Sequence, residues 1–311
     1  MLGPIVQCDR GAYIKLLKSC FQPDEGQIIQ SDCVGVELAS SDGRLNAIQL
    51  ADGQNITADL FIDVSAALDQ FLPEDVSLGR HTLSDVMPFD RRISIVKPDR
   101  SLADDHHCSA TALAAGVRVD TPLGNDMISE LLYSSKIWDD KNAQEQTGMM
   151  GEATDFEAFY TDNPWTGNLV RLGKASAVLG PYQSLDMRLL HEQSLRLMSC
   201  IPTGRKMHVE AREFNRRHRI ILEELRDFAI LPYLRNGRQE DFWADIPASI
   251  TPESLRLRID QFKSRGRFIS YDDGLFDDQN WIDLLIGFDV IPERYDPRVR
   301  DYLPQGEYDE I

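Results

Sequence analysis

The nine residues Ala58-Asp59-Leu60-Phe61-Ile62-Asp63-Val64-Ser65-Ala66 constrain the fold more than any other stretch of the chain. The run is mostly apolar, is interrupted by Asp59, and closes on an acid followed by small residues. Such a run predicts a strand covered on both faces, as in the central sheet of an α/β fold, with a tight turn at its carboxyl end. In open α/β folds a ligand lies beyond the carboxyl ends of the strands, which makes Asp63 and Ser65 candidate binding residues. The same residues also read simply as a core strand with a tight end.

Around this strand the pattern predicts an α/β (α+β) chain. Ala12, Ile14, Leu16, Leu17 and Phe21 space a helix between Gly11 and Phe21. Cys33 to Leu38 alternates, Asp42-Gly43 supplies a turn, and Leu45 to Leu50 returns. Further strands are expected at Ile93–Val96, Gly116–Val119 and Glu130–Ser134. Thr111 to Ala115 reads equally as helix or strand, and the polar segment Asp139 to Asp155 predicts a loop. After Gly180 the texture turns helical. Helices are expected over Gln183–Cys200, over His208–Leu231 with Pro232 as its stop, and over Asn280–Ile286. Another should open at Thr251-Pro252 and end at Gly266. With 311 residues the chain can bury a large core. The expected division is a sheet domain over 1–182 and a helical C-terminal domain over 183–311.

Composition narrows the function classes. Fifty-one acidic against 33 basic residues give a net charge of −18, which repels a phosphate backbone and argues against nucleic-acid binding. The longest apolar runs, such as Phe228–Leu231, are too short to span a membrane, and the first residues lack the basic start of a signal peptide. A cytoplasmic protein is expected. Five scattered cysteines, none in a Cys-x-x-Cys pair, predict reduced thiols. His106-His107-Cys108 places adjacent side chains that do not converge on one ion, so no metal site is expected. His191 and Glu192 read as ordinary helix residues.

Three groups of motifs then resemble one family, the flavin-dependent tryptophan halogenases. Ala58 to Ala66 resembles the family strand ADLFIDCSG. Trp165-Thr166-Gly167-Asn168-Leu169-Val170-Arg171-Leu172-Gly173 resembles WVGNCVALG, and Val178 to Ser184 resembles FLEPLES. The tail offers, in order, Phe214-Asn215-Arg216, Arg226-Asp227-Phe228, Asp241-Phe242-Trp243 and Pro252-Glu253-Ser254-Leu255. Gly266-Arg267, Leu275-Phe276, Trp281 and Ile291-Pro292-Glu293-Arg294-Tyr295-Asp296-Pro297 follow.

The resemblance implies an incomplete FAD-monooxygenase-like sheet region followed by a helical region, with FAD as cofactor. In that family reduced FAD reacts with oxygen, and chloride becomes hypochlorous acid that reaches a lysine beside an aromatic substrate. By resemblance Asp63, Ser65, Pro181 and Ser184 are the cofactor-side residues, and Phe242, Trp243 and Trp281 stand near the pocket for an aromatic small molecule. Gln183 occupies the family glutamate position, and an amide cannot act as a carboxylate base, so no catalytic residue is assigned. The residues whose amides would hold the halide are Leu185 and Asp186. Val117 to Pro122 stands where the family has WxWxIP, with valines in place of both tryptophans, and Ala66 stands where a glycine is usual. No GxGxxG occurs in the sequence, so the resemblance implies that the FAD pyrophosphate is held by something else. The expectation is a halogenase-like protein inactive alone, or dependent on a FAD-binding partner chain, with homo-oligomerisation as another way to cover the sheet. The alternative is a non-catalytic homologue that acts as a binding or interaction protein.

Overall fold

The structure is a computed structural model that describes residues 9–21, 26–39, 44–73, 79–98, 108–180, 185–246, 250–268 and 274–294. The chain packs as two compact units, one within 3–219 and one within 220–311. The division falls later than the expected 182/183 boundary, inside a helix.

In the first unit, α1 (Arg10–Cys20) is capped by Asp9, whose side chain accepts from the Ala12 amide. β1 (Cys33–Leu38), β2 (Leu45–Leu50) and β3 (Asn55–Thr57) form an antiparallel meander. β4 (Phe61–Asp63) is shorter than the strand expected from Ala58, and it joins a different sheet. Its Ile62 is 51% exposed, so β4 is not covered on both faces as the sequence suggested.

A five-stranded antiparallel sheet follows: β6 (Arg91–Pro98), β7 (Ser109–Leu113), β8 (Gly116–Leu123), β9 (Asp126–Tyr133) and β10 (Ala153–Asp155), in the order β10-β6-β9-β8-β7. The ambiguous Thr111 run is therefore strand. Val117 and Val119 are buried on β8, and Pro122 does not stop that strand. Among the described residues the pairing with β7 ends at Asp120, two residues before Pro122. The expected loop 139–155 contains a helix, α2 (Asp140–Thr147). Asp139 caps it by accepting from the Asn142 amide, and Ala143 packs with Ile93, Leu131, Tyr133 and Met149.

The remaining strands are short. β5 (Arg80–Thr82), β11 (Phe159–Thr161) and β14 (Ala177–Val178) form one sheet; β12 (Trp165–Thr166), β13 (Leu169–Arg171) and β4 form another. α3 (Leu185–Ser199) and α4 (His208–Leu234) follow. Trp165, Val170 and Leu172 share one buried cluster with Leu197, Cys200, Met207 and Phe214. That cluster is why α3 and the start of α4 belong with the sheets. Pro232 lies inside α4, which continues two residues past it.

The second unit holds the rest of α4, α5 (Asp241–Ala244), α6 (Glu253–Arg265) and α7 (Asp278–Gly287). Gly266 ends α6 as expected: its φ is 69°, and its N–H donates to the Phe262 carbonyl. Among the described residues no helix is long and apolar enough to cross a membrane. Cys20, Cys33, Cys108 and Cys200 are free thiols.

Candidate functional site

β4 and β13 run parallel, with Phe61 opposite Leu169, Ile62 opposite Val170 and Asp63 opposite Arg171. The two turns beyond their carboxyl ends are where this topology would place a ligand.

The first turn is organised by Asp63, which is 5% exposed. Its Oδ1 accepts from the amides of Ser65 at 2.9 Å and Ala66 at 3.0 Å, and from the Ser65 hydroxyl at 3.2 Å. Its Oδ2 accepts from the Leu68 amide at 3.2 Å. The side chain thus gathers the amides of the turn onto itself, which lets a chain leave a strand without orphaned donors. Ala66 takes a φ of 65°, the left-handed conformation for which the family motif carries glycine.

The second turn follows β13. Gly173 has a φ of 53°, and its amide donates to Gln193 Oε1 at 2.6 Å. Gln193 Nε2 donates in turn to the Ser176 hydroxyl at 2.8 Å and to His218 Nδ1 at 3.1 Å. His218 Nε2 donates to the Thr161 carbonyl at 3.0 Å, which fixes the imidazole as the neutral Nε2–H form. Burial pushes the His218 pKa down to about 4. Gln193, Ser176 and His218 are each at most 1% exposed, so this is a buried, internally satisfied network. Sequence reading did not find it. A glutamine and a histidine on apolar helix faces were its only signal.

Between the turns lies Arg171, 2% exposed. Its Nε donates to Asp69 Oδ1 at 2.9 Å, while Nη1 is buried without a hydrogen-bond partner among the described residues. This residue too escaped the sequence reading. The signal was a lone charge inside Leu169-Val170-Arg171-Leu172, at the position where the resembled motif has alanine.

Pro181, Gln183 and Ser184 lie outside the described residues. Asp186, on the first turn of α3, has its carboxyl pKa raised by burial, against the opposing pull of Lys174 and the Leu179 backbone. In the second unit, Phe242 and Trp243 are buried edge to face at 5.0 Å. Trp281 is 1% exposed, and its indole N–H donates to Glu224 Oε1 at 3.1 Å. Its ring meets Phe228 edge to face at 5.2 Å, with the Arg258 guanidinium 4.2 Å from its centroid. The structure thus places all three aromatic residues in that unit's core. His106 and His107 lie outside the described residues, and Cys108 is exposed beside Thr121. Among the described residues no three metal-ligating side chains cluster.

Holding FAD phosphates requires outward-facing N–H donors, and those of Ser65, Ala66, Leu68 and Gly173 are satisfied from within.

Comparison with known proteins agrees with the motifs. Among curated proteins, tryptophan 7-halogenase KtzQ of Kutzneria sp. (strain 744) is 21% identical over 296 residues, covering 85% of this chain and 54% of KtzQ. Two solved flavin-dependent halogenases superpose closely. BrvH from Brevundimonas sp. BAL3 has 26% identity and a TM-score of 0.83, covering 97% of this chain and 63% of BrvH. Xcc4156 from Xanthomonas campestris has 27% identity and a TM-score of 0.85, covering 97% of this chain and 62% of Xcc4156. The chain therefore spans about half the length of the curated relatives it matches and under two thirds of these structures. The profile of the tryptophan halogenase family matches residues 4–303, and the chain belongs to that family.

Proposed function

We propose that this chain is a flavin-dependent halogenase-like protein that neither retains FAD nor halogenates an aromatic substrate by itself. A FAD-binding partner chain is the source we favour for the donors that these turns use up internally. The observation behind this reading is the inward use of donors at both turns: Asp63 takes three backbone amides and Gln193 takes that of Gly173. A flavin edge could pass these turns, but the backbone amides of Ser65, Ala66, Leu68 and Gly173 are already taken within the fold. The exposed Ile62 and Val64 beside the same turn are apolar surface suited to a covering segment.

Asp186 favours the second reading, a non-catalytic homologue. The resemblance assigns halide binding to the amides of Leu185 and Asp186. A carboxyl at that place repels chloride when ionised.

The experiment supplies the purified chain with reduced FAD, oxygen, chloride or bromide, and tryptophan, and searches for a halogenated product by mass spectrometry. No product is expected from the lone chain. Turnover by the lone chain overturns the proposal.

A further inference from the structure

We infer that a cavity at the opposite end of β13 is a binding site for a small organic phosphate. The cavity holds about 970 Å³ and is bordered by Arg44, Arg205, Lys206, His208, Arg212 and Arg219. Among the described residues no carboxylate lines it, although acidic side chains outnumber basic ones in this chain by 51 to 33. Five guanidinium and ammonium groups around one opening make a local positive field that the overall charge of −18 does not suggest.

The cations are brought together by three separate elements. Arg44 precedes β2, and its Nη1 donates to the Arg205 carbonyl at 3.1 Å, tying that strand to the segment ahead of α4. Lys206 and His208 stand at the start of α4, a 27-residue helix whose N-terminal amides add partial positive charge. Arg212 and Arg219 continue the same face at helical spacing, with Asn215 between them. The floor is rigid: Asn215 Oδ1 accepts from the Trp165 amide at 3.0 Å, and its Nδ2 donates to the Trp165 carbonyl at 2.9 Å. Asp59 meets this group at its margin, 3.4 Å from Arg205, and both side chains there are largely exposed.

This site is separate from the turns at Asp63 and Gly173, which lie at the carboxyl ends of β4 and β13. The cavity borders the β12–β13 hairpin, where β13 begins. Its size selects the ligand class. A halide or a single inorganic phosphate would fill little of it, whereas small-molecule sites span roughly 300–1,000 Å³. Arginine forks pair two-pronged with phosphate oxygens, which favours phosphate over a lone carboxylate. The acidic remainder of the surface disfavours a long nucleic acid, leaving a compact, multiply charged organic phosphate.

The test is calorimetric titration of the whole chain with inorganic pyrophosphate and with ADP, using adenosine as the uncharged control. Both phosphates should bind and adenosine should not, and affinity should fall as salt rises. Arg212→Gln and Lys206→Ala change exposed side chains and leave the fold unchanged by circular dichroism. Each should weaken binding about tenfold, the loss of one charge-assisted contact. Failure of both phosphates to bind at low salt, binding of adenosine equal to ADP, or unchanged affinity in the folded variants overturns the assignment.

Discussion

Arg171 donates from Nε to Asp69 Oδ1 at 2.9 Å, and this ion pair neutralises a guanidinium that is 2% exposed. A buried charge that loses its partner destabilises a fold by about 3–5 kcal/mol, less where water can replace the missing group. Asp69 is one-third exposed, so Asp69→Asn should cost about 1–3 kcal/mol in urea denaturation. Arg171→Met removes the charge and its unpartnered nitrogen together, and should cost less than Asp69→Asn or nothing. The opposite ranking would show that the guanidinium is satisfied in some other way.

Asp63 predicts a different kind of loss. Asp63→Ala strips an acceptor from the amides of Ser65, Ala66 and Leu68, of which Leu68 is buried. A buried donor left unmade costs about 1–3 kcal/mol, so a fall in stability near 2 kcal/mol is expected, with faster amide exchange at Leu68. At Ala66, whose φ is 65°, glycine relieves the side chain's steric strain while giving the unfolded chain more freedom. Ala66→Gly should therefore change stability by no more than about 1 kcal/mol, whereas Ala66→Val should destabilise clearly.

His218 makes the fold sensitive to acid. Its folded pKa, about 4, lies below the ordinary 6.5, so between those values the unfolded chain binds the proton and the folded one does not. Stability should then rise with pH across that window, and on acidification the loss should approach on the order of 3 kcal/mol. Asp186 acts with the opposite sign. Its raised pKa favours the protonated carboxyl in the fold, so its contribution is present at low pH and is lost as pH rises through the folded value. Denaturation midpoints at stepped pH check both. His218→Gln should flatten the rise towards neutral pH, and Asp186→Asn should steepen it.

Glu224 joins three partners in the C-terminal unit. It accepts from the Leu275 amide at 2.5 Å and from the Trp281 indole N–H at 3.1 Å, with Arg258 3.9 Å away. Glu224→Ala should cost about 2–4 kcal/mol, chiefly by leaving the Leu275 amide and the Trp281 indole N–H without their acceptor. Trp281→Phe removes one of those donors with a smaller loss of packing and should cost less. Tryptophan fluorescence during unfolding reports both.

The elements legible in the sequence are those with a strong apolar period. The helices at Arg10–Cys20, Leu185–Ser199 and Asp278–Gly287 and the strands Arg91–Pro98 and Gly116–Leu123 lie where expected. The helix Asp140–Thr147 was missed because it buries only Ala143 and reads as a polar loop; its signals were Asp139 and Gly148 at its two ends. Pro232 marks a stop by its chemistry, yet the helix runs on to Leu234. At the candidate site Asp63 was legible from its place at a strand end. Arg171, Gln193 and His218 were not, because what they do depends on partners 102, 20 and 57 residues away in the chain.

The proposed reading is that the turns around Asp63 and Gly173 retain no flavin by themselves. Titrating the purified chain with FAD, while following the yellow flavin absorbance that stays with the protein after gel filtration, tests it most directly. No stoichiometric retention by the chain alone is expected. Tight one-to-one binding of FAD to the lone chain would contradict it.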